Sequence, residues 1–600
     1  MKRCISVLLS MAMVLSLAGC TQKETRTTRQ TTKDDETEVT ETEDTETSAT
    51  TTEASSETSE TEGSTTESSA TSESSESSET TESETSATET SESTEPSETT
   101  QSKPIDPAHP EFTHDLTTVA LSNQAIDRGY GELMPGRKSE VARLTEHCDM
   151  YSITDQKYSK MNEKLEEIYG ALKKKYDEEY DTRLSSFADT VKAIPDGNEW
   201  IWEHMEIDSR TYVSRSDSKV LSFNVDSYTH FGYDWKSDGA YYNFDPVTAE
   251  PIKLESIVTD RQALADVVLS FRISTDSDYY DEDDAAYNDV LTTLSERIHT
   301  GDLSTIDFGL TQNDLYLYQE GDSAGELSEY RCIISALDCG GCLDLSYFTA
   351  TPEYYTLSSD FRFQIAWDFD EDGDIDTLRV ANECSNYHRV DLKVYYNDKA
   401  LPCEDYYDSE VTSIMDYYVI HNDDGFSLYI EFSKQDTPVS PLHIFRLNDG
   451  KVEYVGPFGE FDAYPYDPTS VRLQQRSDLL GTGDMVLTCS LTGDEGFPKE
   501  ISFFYEKDEI VVTKKDMSIP QTDADGNPNG QTVTIPAGTT VRYFGVDTVN
   551  QRAFFSTLNK NEAENIEFTM PVSRFSHGID YEIDLNGETS ADLFVGMNYF

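Results

Sequence analysis

From Thr21 to Lys103 the chain is built almost entirely of Ser, Thr and Glu, as in Ser77-Ser78-Glu79-Thr80-Thr81-Glu82-Ser83, with hardly an apolar side chain. A segment without apolar surface to bury cannot offset the entropy of ordering its backbone, so these 83 residues are expected to stay disordered. Every packed core must then come from residues 104–600. As a random coil the segment would span roughly 50 Å, more because like charges extend it, with a ceiling of about 280 Å when pulled straight. It reads as a stalk.

The 600-residue chain carries a formal charge of −70. Setting aside the stalk's −18 and the +2 of the first twenty residues leaves −54 for residues 104–600. A surface so negative repels nucleic acid and anionic wall polymers, and attracts cations and basic proteins at a salt-dependent rate. Solubility alone is the plainer consequence of the same charge.

Lys2 and Arg3 precede an apolar run from Ile5 to Leu17 that is too short for a spanning helix, and Leu17-Ala18-Gly19-Cys20 closes it. This arrangement resembles a bacterial lipoprotein signal. The resemblance implies that residues 1–19 are a signal peptide and that Cys20 is lipidated as the first residue of the mature protein, on the outer face of the cell membrane. An ordinary secretory signal with a cysteine at the cut site is the alternative. No later run approaches about 18 consecutive apolar residues, so the lipid is expected to be the sole membrane attachment.

Six hundred residues exceed what one core supports, and the folded part divides by pattern. Between Thr154 and Pro195, Tyr158, Met161, Leu165, Ile168, Leu172, Tyr176, Tyr180, Leu184, Phe187 and Val191 recur every three or four positions. That spacing predicts one long amphipathic helix, packed on its own domain's sheet or, in the sharper reading, on a partner. Strands follow, with Leu221, Phe223 and Val225 alternating with polar residues and a turn at Asn243-Phe244-Asp245-Pro246. Helical segments around 263–271 and 284–298 and a strand pair at 315–318 and 330–334 complete an α+β unit.

Ser216-Asp217-Ser218-Lys219-Val220-Leu221-Ser222-Phe223-Asn224-Val225, then Tyr242-Asn243-Phe244-Asp245-Pro246 and Pro251-Ile252-Lys253-Leu254, resemble the extracytoplasmic domain shared by RsiV-type anti-sigma factors and many Gram-positive surface proteins. The resemblance covers roughly residues 110–350 and implies an extracellular ligand such as lysozyme. Where many relatives carry a Gly-Gly-Ala-His turn, this chain has His230-Phe231-Gly232-Tyr233-Asp234.

After Thr351 the pattern is almost purely β. Residues 356–515 are similar to the strand–acidic loop–strand blades of FG-GAP-type surface proteins, with too few copies for a closed propeller. Gly530 to Val541 resembles the opening of a bacterial SH3-like barrel, with an unrelated β unit as the alternative. The expected fold class is thus an α+β domain, its long helix packed on an antiparallel sheet, over 104–355, followed by all-β regions over 356–515 and 516–600, behind the 20–103 anchor and stalk.

The strongest chemical signal is Asp368-Phe369-Asp370-Glu371-Asp372-Gly373-Asp374-Ile375-Asp376. Calcium takes six or more oxygens at about 2.4 Å, and Asp at positions 1, 3, 5 and 9 with Gly at 6 wraps them round one point. Asp368, Asp370, Asp372 and Asp376 would give side chains and Asp374 its carbonyl. Arg379 stands where an EF-hand has its bidentate Glu, so a helix–loop–helix sensor is excluded. The alternative is a solvated acidic turn.

Gly321-Asp322-Ser323-Ala324-Gly325 fits G-x-S-x-G, but strand patterns on both sides make it a hairpin loop and not a nucleophile elbow. Cys339-Gly340-Gly341-Cys342 invites a redox or zinc reading. Zinc lacks a second pair, although Cys332 offers a third ligand, and a thioredoxin-type site wants the pair at a helix start. A local disulfide or idle thiols is the simpler reading, and a Cys384–Cys403 bridge is conceivable. No H-E-x-x-H, Walker loop or dinucleotide fingerprint occurs. The expectation is a non-catalytic, lipid-anchored surface protein that binds an extracellular protein or a cell-wall polymer or glycan; a wall-active enzyme with a carboxylate site is the remaining class.

Overall fold

In a computed structural model, the apolar stripe between Tyr158 and Val191 becomes one 35-residue helix, α1 (Ser159–Ala193), entered through a short 3-10 turn capped by Asp155. The structure describes residues 105–596 except 135–140, 194–203, 232–233, 273–281, 321–328, 361–362, 383–390, 403–410, 424, 435–441, 449–450, 478–482, 494–497, 501–503, 523–527, 548, 575–582 and 586. Cys20, the stalk, the Gly321–Gly325 motif and the Cys384–Cys403 bridge therefore lie outside the described residues.

The helix lies on a five-stranded sheet of consecutive strands, β1 (Ile126–Leu133), β2 (Val141–Cys148), β3 (His204–Ser216), β4 (Leu221–Phe231) and β5 (Asp234–Phe244). Its first half packs Met161, Leu165 and Tyr169 on Val213, Phe223 and Val225. Its second half packs Tyr176, Tyr180 and Phe187 on Leu144, Met205 and Phe231. The stripe is thus covered by its own sheet. The sheet is mixed, which corrects the expected antiparallel arrangement: β2 and β3 run parallel. The cause is α1 itself, because a helix this long returns the chain to the edge it left, as in a βαβ crossover.

Residues 254–350 pack α2 (Arg261–Ser270) and α3 (Glu282–Thr300) against a three-stranded sheet, β6 (Asp307–Leu310), β7 (Asp314–Glu320) and β8 (Glu329–Ser335). Asp260 caps α2 by accepting the amides of Gln262 and Ala263. The strands β7 and β8 pair antiparallel, so strand and not helix begins at Glu329.

Next comes a two-layer β sandwich. One sheet holds β9 (Tyr355–Asp360), β13 (Val411–Asn422), β14 (Gly425–Lys434), β15 (Leu442–Asn448) and β16 (Lys451–Phe458). The other holds β10 (Ile365–Trp367), β11 (Asp376–Asn382), β12 (Leu392–Tyr396) and the short strand Lys399–Ala400. Trp367, Tyr417, Phe432 and Phe445 fill the space between them. The acidic loop is the β10–β11 connection, so both ends of it are pinned by paired strands.

The last sheet includes β17 (Val471–Ser477), β18 (Gly483–Ser490), β19 (Phe504–Thr513), β20 (Met517–Thr522), β21 (Pro528–Ile535), β22 (Thr540–Asp547), β23 (Arg552–Thr557) and β24 (Glu567–Arg574). It crosses the division read at 515/516, because β19 pairs with β22 from Phe504↔Asp547 to Val512↔Thr540. Val511 completes a core with Val541, Phe555 and Phe594 that residues 516–600 would otherwise leave open on one side.

The regions do not hang as beads, since residues Thr99–Phe600 form one compact unit. Gly129 and Gly131 let β1 lie against β19: a Cβ at Gly129 would stand 2.6 Å from Ile510 Cδ1. Thr540 Oγ1 donates to the Gly131 carbonyl at 2.7 Å, and the Arg143 guanidinium reaches Glu509 at 3.0 Å. No helix among the described residues is long and apolar enough to cross a membrane.

Candidate functional site

Three of the five predicted loop aspartates converge. Ligand oxygens of Asp368, Asp370 and Asp376 lie within 4.8 Å of one another, with Asp368 and Asp376 buried and Asp370 exposed. The loop backbone builds this. Asp368 accepts the amides of Asp372 at 3.1 Å and Gly373 at 3.0 Å, and Gly373 takes φ 91°, a turn that a side chain would strain. Asp376 is held by the Phe369 amide at 3.2 Å, Tyr396 Oη at 2.5 Å and Asn397 Nδ2 at 2.7 Å. Burial, opposed by those amides and reinforced by the neighbouring carboxylates, raises the Asp368 pKa above the usual carboxylate range. Desolvation and the charges of Asp376 and Asp372 raise Asp370 likewise.

The other two aspartates point elsewhere. Asp372 Oδ1 accepts the Asp374 amide at 2.9 Å, and Asp374 Oδ1 meets His109 Nδ1 at 3.0 Å. His109 belongs to the segment that enters the fold, which is tied to the sandwich again by the Phe112 ring edge-on to Trp367 at 4.7 Å.

A second constellation has no counterpart in the sequence motifs. A cleft of about 730 Å³ opens between the helix-free face of the first sheet and strands of the last. At its floor the imidazole of His147 bridges two carboxylates, Nδ1 to Asp127 at 2.6 Å and Nε2 to Asp149 at 3.3 Å. Burial alone would lower the His147 pKa, but hydrogen bonds to and charges of both aspartates overcome it and push it up to about 10. The group is therefore an imidazolium with both N–H bonds donated. Burial raises Asp127, yet His147 and Arg542, the latter 3.0 Å away, bring it down to about 2. Asp149 is lowered too: against its burial stand His147, Asn123 Nδ2 and the Thr211 amide.

Around this floor each arginine meets an acid: Arg143 with Glu509, Arg210 with Asp208 at 3.0 Å, Arg472 with Asp462 at 2.8 Å. The lining holds seven carboxylates against four guanidiniums and one imidazolium; with Glu146 paired to Arg128 outside the lining, one negative charge is in surplus. Asp208 is 5% exposed and its Oδ1 has no hydrogen-bond partner. Tyr151, Tyr212, Tyr228 and Phe544 supply ring surface to the same walls. Residues 20 to 415 positions apart build this cleft, and no local motif announces it.

The third predicted feature, Cys339 and Cys342, is two free buried thiols in the core beside α2 and α3, with Cys332 in the same cluster. Among the described residues these three do not gather as a metal-ligand set.

No protein-family model matches the chain. No curated protein matches it. Among solved structures, the chain is similar to a member of the DUF3298 family from Bacteroides fragilis, with 16% identity and a TM-score of 0.27 over 39% of this chain and 98% of that one. It is also similar to a DUF3298 family protein from Pseudomonas aeruginosa, with 11% identity and a TM-score of 0.23 over 38% of this chain and 98% of that one.

Proposed function

We propose that this is a non-catalytic surface protein, anchored through a lipid on Cys20, that binds a basic extracellular protein such as lysozyme in the cleft between its first and last sheets. The observation that carries the reading is the carboxylate surplus of that cleft. The net −54 of residues 104–600 would steer a cationic protein toward this surface. His147 supports a binding role over catalysis, because an imidazolium with both protons committed is no general base near neutral pH.

Titrating the purified chain with hen egg-white lysozyme at about 20 and 150 mM salt tests the proposal. Saturable binding, weakened by salt and by Asp208→Asn, is expected; its absence at low salt rejects the ligand class. The four aromatic rings of the cleft favour a second reading, a cell-wall glycan as ligand. Retention on purified peptidoglycan that Tyr212→Ala abolishes, with no lysozyme binding, would select it.

In the same reading the β10–β11 loop holds a structural Ca²⁺ on Asp368, Asp370 and Asp376, with the Asp374 carbonyl as a further ligand by its position in the loop. The crowding of three carboxylates within 4.8 Å supports this, since a divalent cation relieves the repulsion they impose on each other.

A further inference from the structure

Cys339 and Cys342 sit in the connection after β8, and Cys339 lines a cavity of about 560 Å³ between α2, α3 and the sandwich. Gly340 and Gly341 both take positive φ, 68° and 82°, and this left-handed pair curls the backbone round the first sulfur. The Cys339 thiol donates to the Ala336 carbonyl at 3.1 Å, and the Cys342 thiol first, then, against its burial, the amides of Cys342, Gly341 and Leu343 lower its pKa. Cys339, together with burial, raises the second thiol. Cys339 lines the cavity and Cys342, three residues on, is fully buried behind it, the placement of an attacking and a resolving thiol.

The cavity indicates what the attacking thiol meets. Arg272 and Arg379 line it together with Phe271 and Phe363, and the one other carboxylate besides Asp314, Asp338, accepts from Gln364 Nε2 at 2.9 Å, so the arginines and rings are what it offers to a small carboxylate-bearing molecule. Asp314 faces the same space, buried, with Oδ2 unpartnered. Its burial raises its pKa well above the carboxylate range.

We propose that Cys339 and Cys342 form a thiol–disulfide exchange pair that is oxidised by a low-molecular-weight, carboxylate-bearing disulfide entering this cavity. The Cys339 thiolate attacks one sulfur of the small disulfide. Its S–S bond breaks, a mixed disulfide forms on Cys339, and the first small thiolate leaves and is protonated. Cys342 then loses its proton and attacks the Cys339 sulfur, forming Cys339–Cys342 and expelling the second small thiol. The protein dithiol gives up two electrons and two protons, and the small disulfide becomes two thiols.

Glutathione disulfide is the carboxylate-bearing probe and hydroxyethyl disulfide the uncharged one. The folded full chain is incubated with each, quenched in acid, alkylated and mapped by peptide mass. The expected result is a Cys339–Cys342 bridge in the wild type, a glutathione adduct on Cys339 in Cys342→Ser, and no reaction at Cys342 in Cys339→Ser. Arg379→Gln should slow glutathione disulfide several-fold while leaving hydroxyethyl disulfide unchanged. The proposal is overturned if both thiols of the folded wild type stay alkylatable with either probe while reacting in urea. It is also overturned if Cys342→Ser, with wild-type circular dichroism, accumulates no adduct at Cys339.

Discussion

Asp217 offers the most demanding test of how the first domain holds together. Its carboxylate and the Arg215 guanidinium are both 0% exposed, 2.6 Å apart. All four acceptor positions of Asp217 are used: Oδ1 takes the amides of Lys219 at 2.8 Å and Val220 at 2.9 Å, and Oδ2 takes Arg215 Nε and Gln312 Nε2 at 3.1 Å. Arg215 also donates to the carbonyls of Thr311 at 3.1 Å and Tyr347 at 2.6 Å, so the pair ties the β3–β4 turn to the β6–β7 turn and to residues 345–347. Asp217→Ala removes the counter-charge and leaves a guanidinium in a dry site with only carbonyl dipoles, a loss of about 3–5 kcal/mol. In both variants the Lys219 and Val220 amides and Gln312 Nε2 lose their acceptor, but the double variant Arg215→Met/Asp217→Leu leaves no bare buried guanidinium and should cost less than the single. Urea unfolding followed by tryptophan fluorescence and circular dichroism reads the difference. With a slope of about 3 kcal/mol/M, the midpoint should fall by about 1–1.7 M for Asp217→Ala and by clearly less for the double variant. A fall below about 0.3 M for Asp217→Ala, or a double variant worse than the single, would refute the argument.

Three further outcomes are expected from the geometry. Calcium at 10 mM should raise the melting temperature by about 1–3 °C for a site in the 10⁻⁴–10⁻³ M class, and Asp376→Asn should abolish the shift; no shift in the wild type rejects the site. The raised His147 pKa makes its contribution fully present below the unfolded value near 6.5 and lost as pH rises toward about 10. Urea midpoints measured from pH 6 to 10 should therefore fall for the wild type and stay flatter for His147→Gln. Phe187, 1% exposed between α1 and the sheet, should cost about 3–5 kcal/mol as Phe187→Ala, read by the same unfolding assay.

What could be read from the sequence was whatever one element specifies by itself. The stripe from Tyr158 to Val191 fixes both the helix and its buried face, because each residue repeats one local rule. The β10–β11 loop is nine consecutive residues whose backbone amides do the arranging, so its spacing carries most of its geometry; of the four side chains expected to converge, only that of Asp372 turns away. The work of the run around Asp217 is structural: the turn's carboxylate neutralises a buried arginine. The cleft is of another kind. Asp127, His147 and Arg542 lie in separate strands whose patterns say only which face each side chain takes. Their meeting depends on β1 lying flat on β19, and that depends on two glycines opposite Ile510. The division drawn at 515/516 failed for the same reason, since Ile510-Val511-Val512 satisfies a strand pattern in either domain and only pairing with Thr540-Val541-Arg542 decides between them. A site assembled by sheet pairing becomes visible only when the pairing is known, and in this chain that holds for the cleft while the acidic loop escapes it.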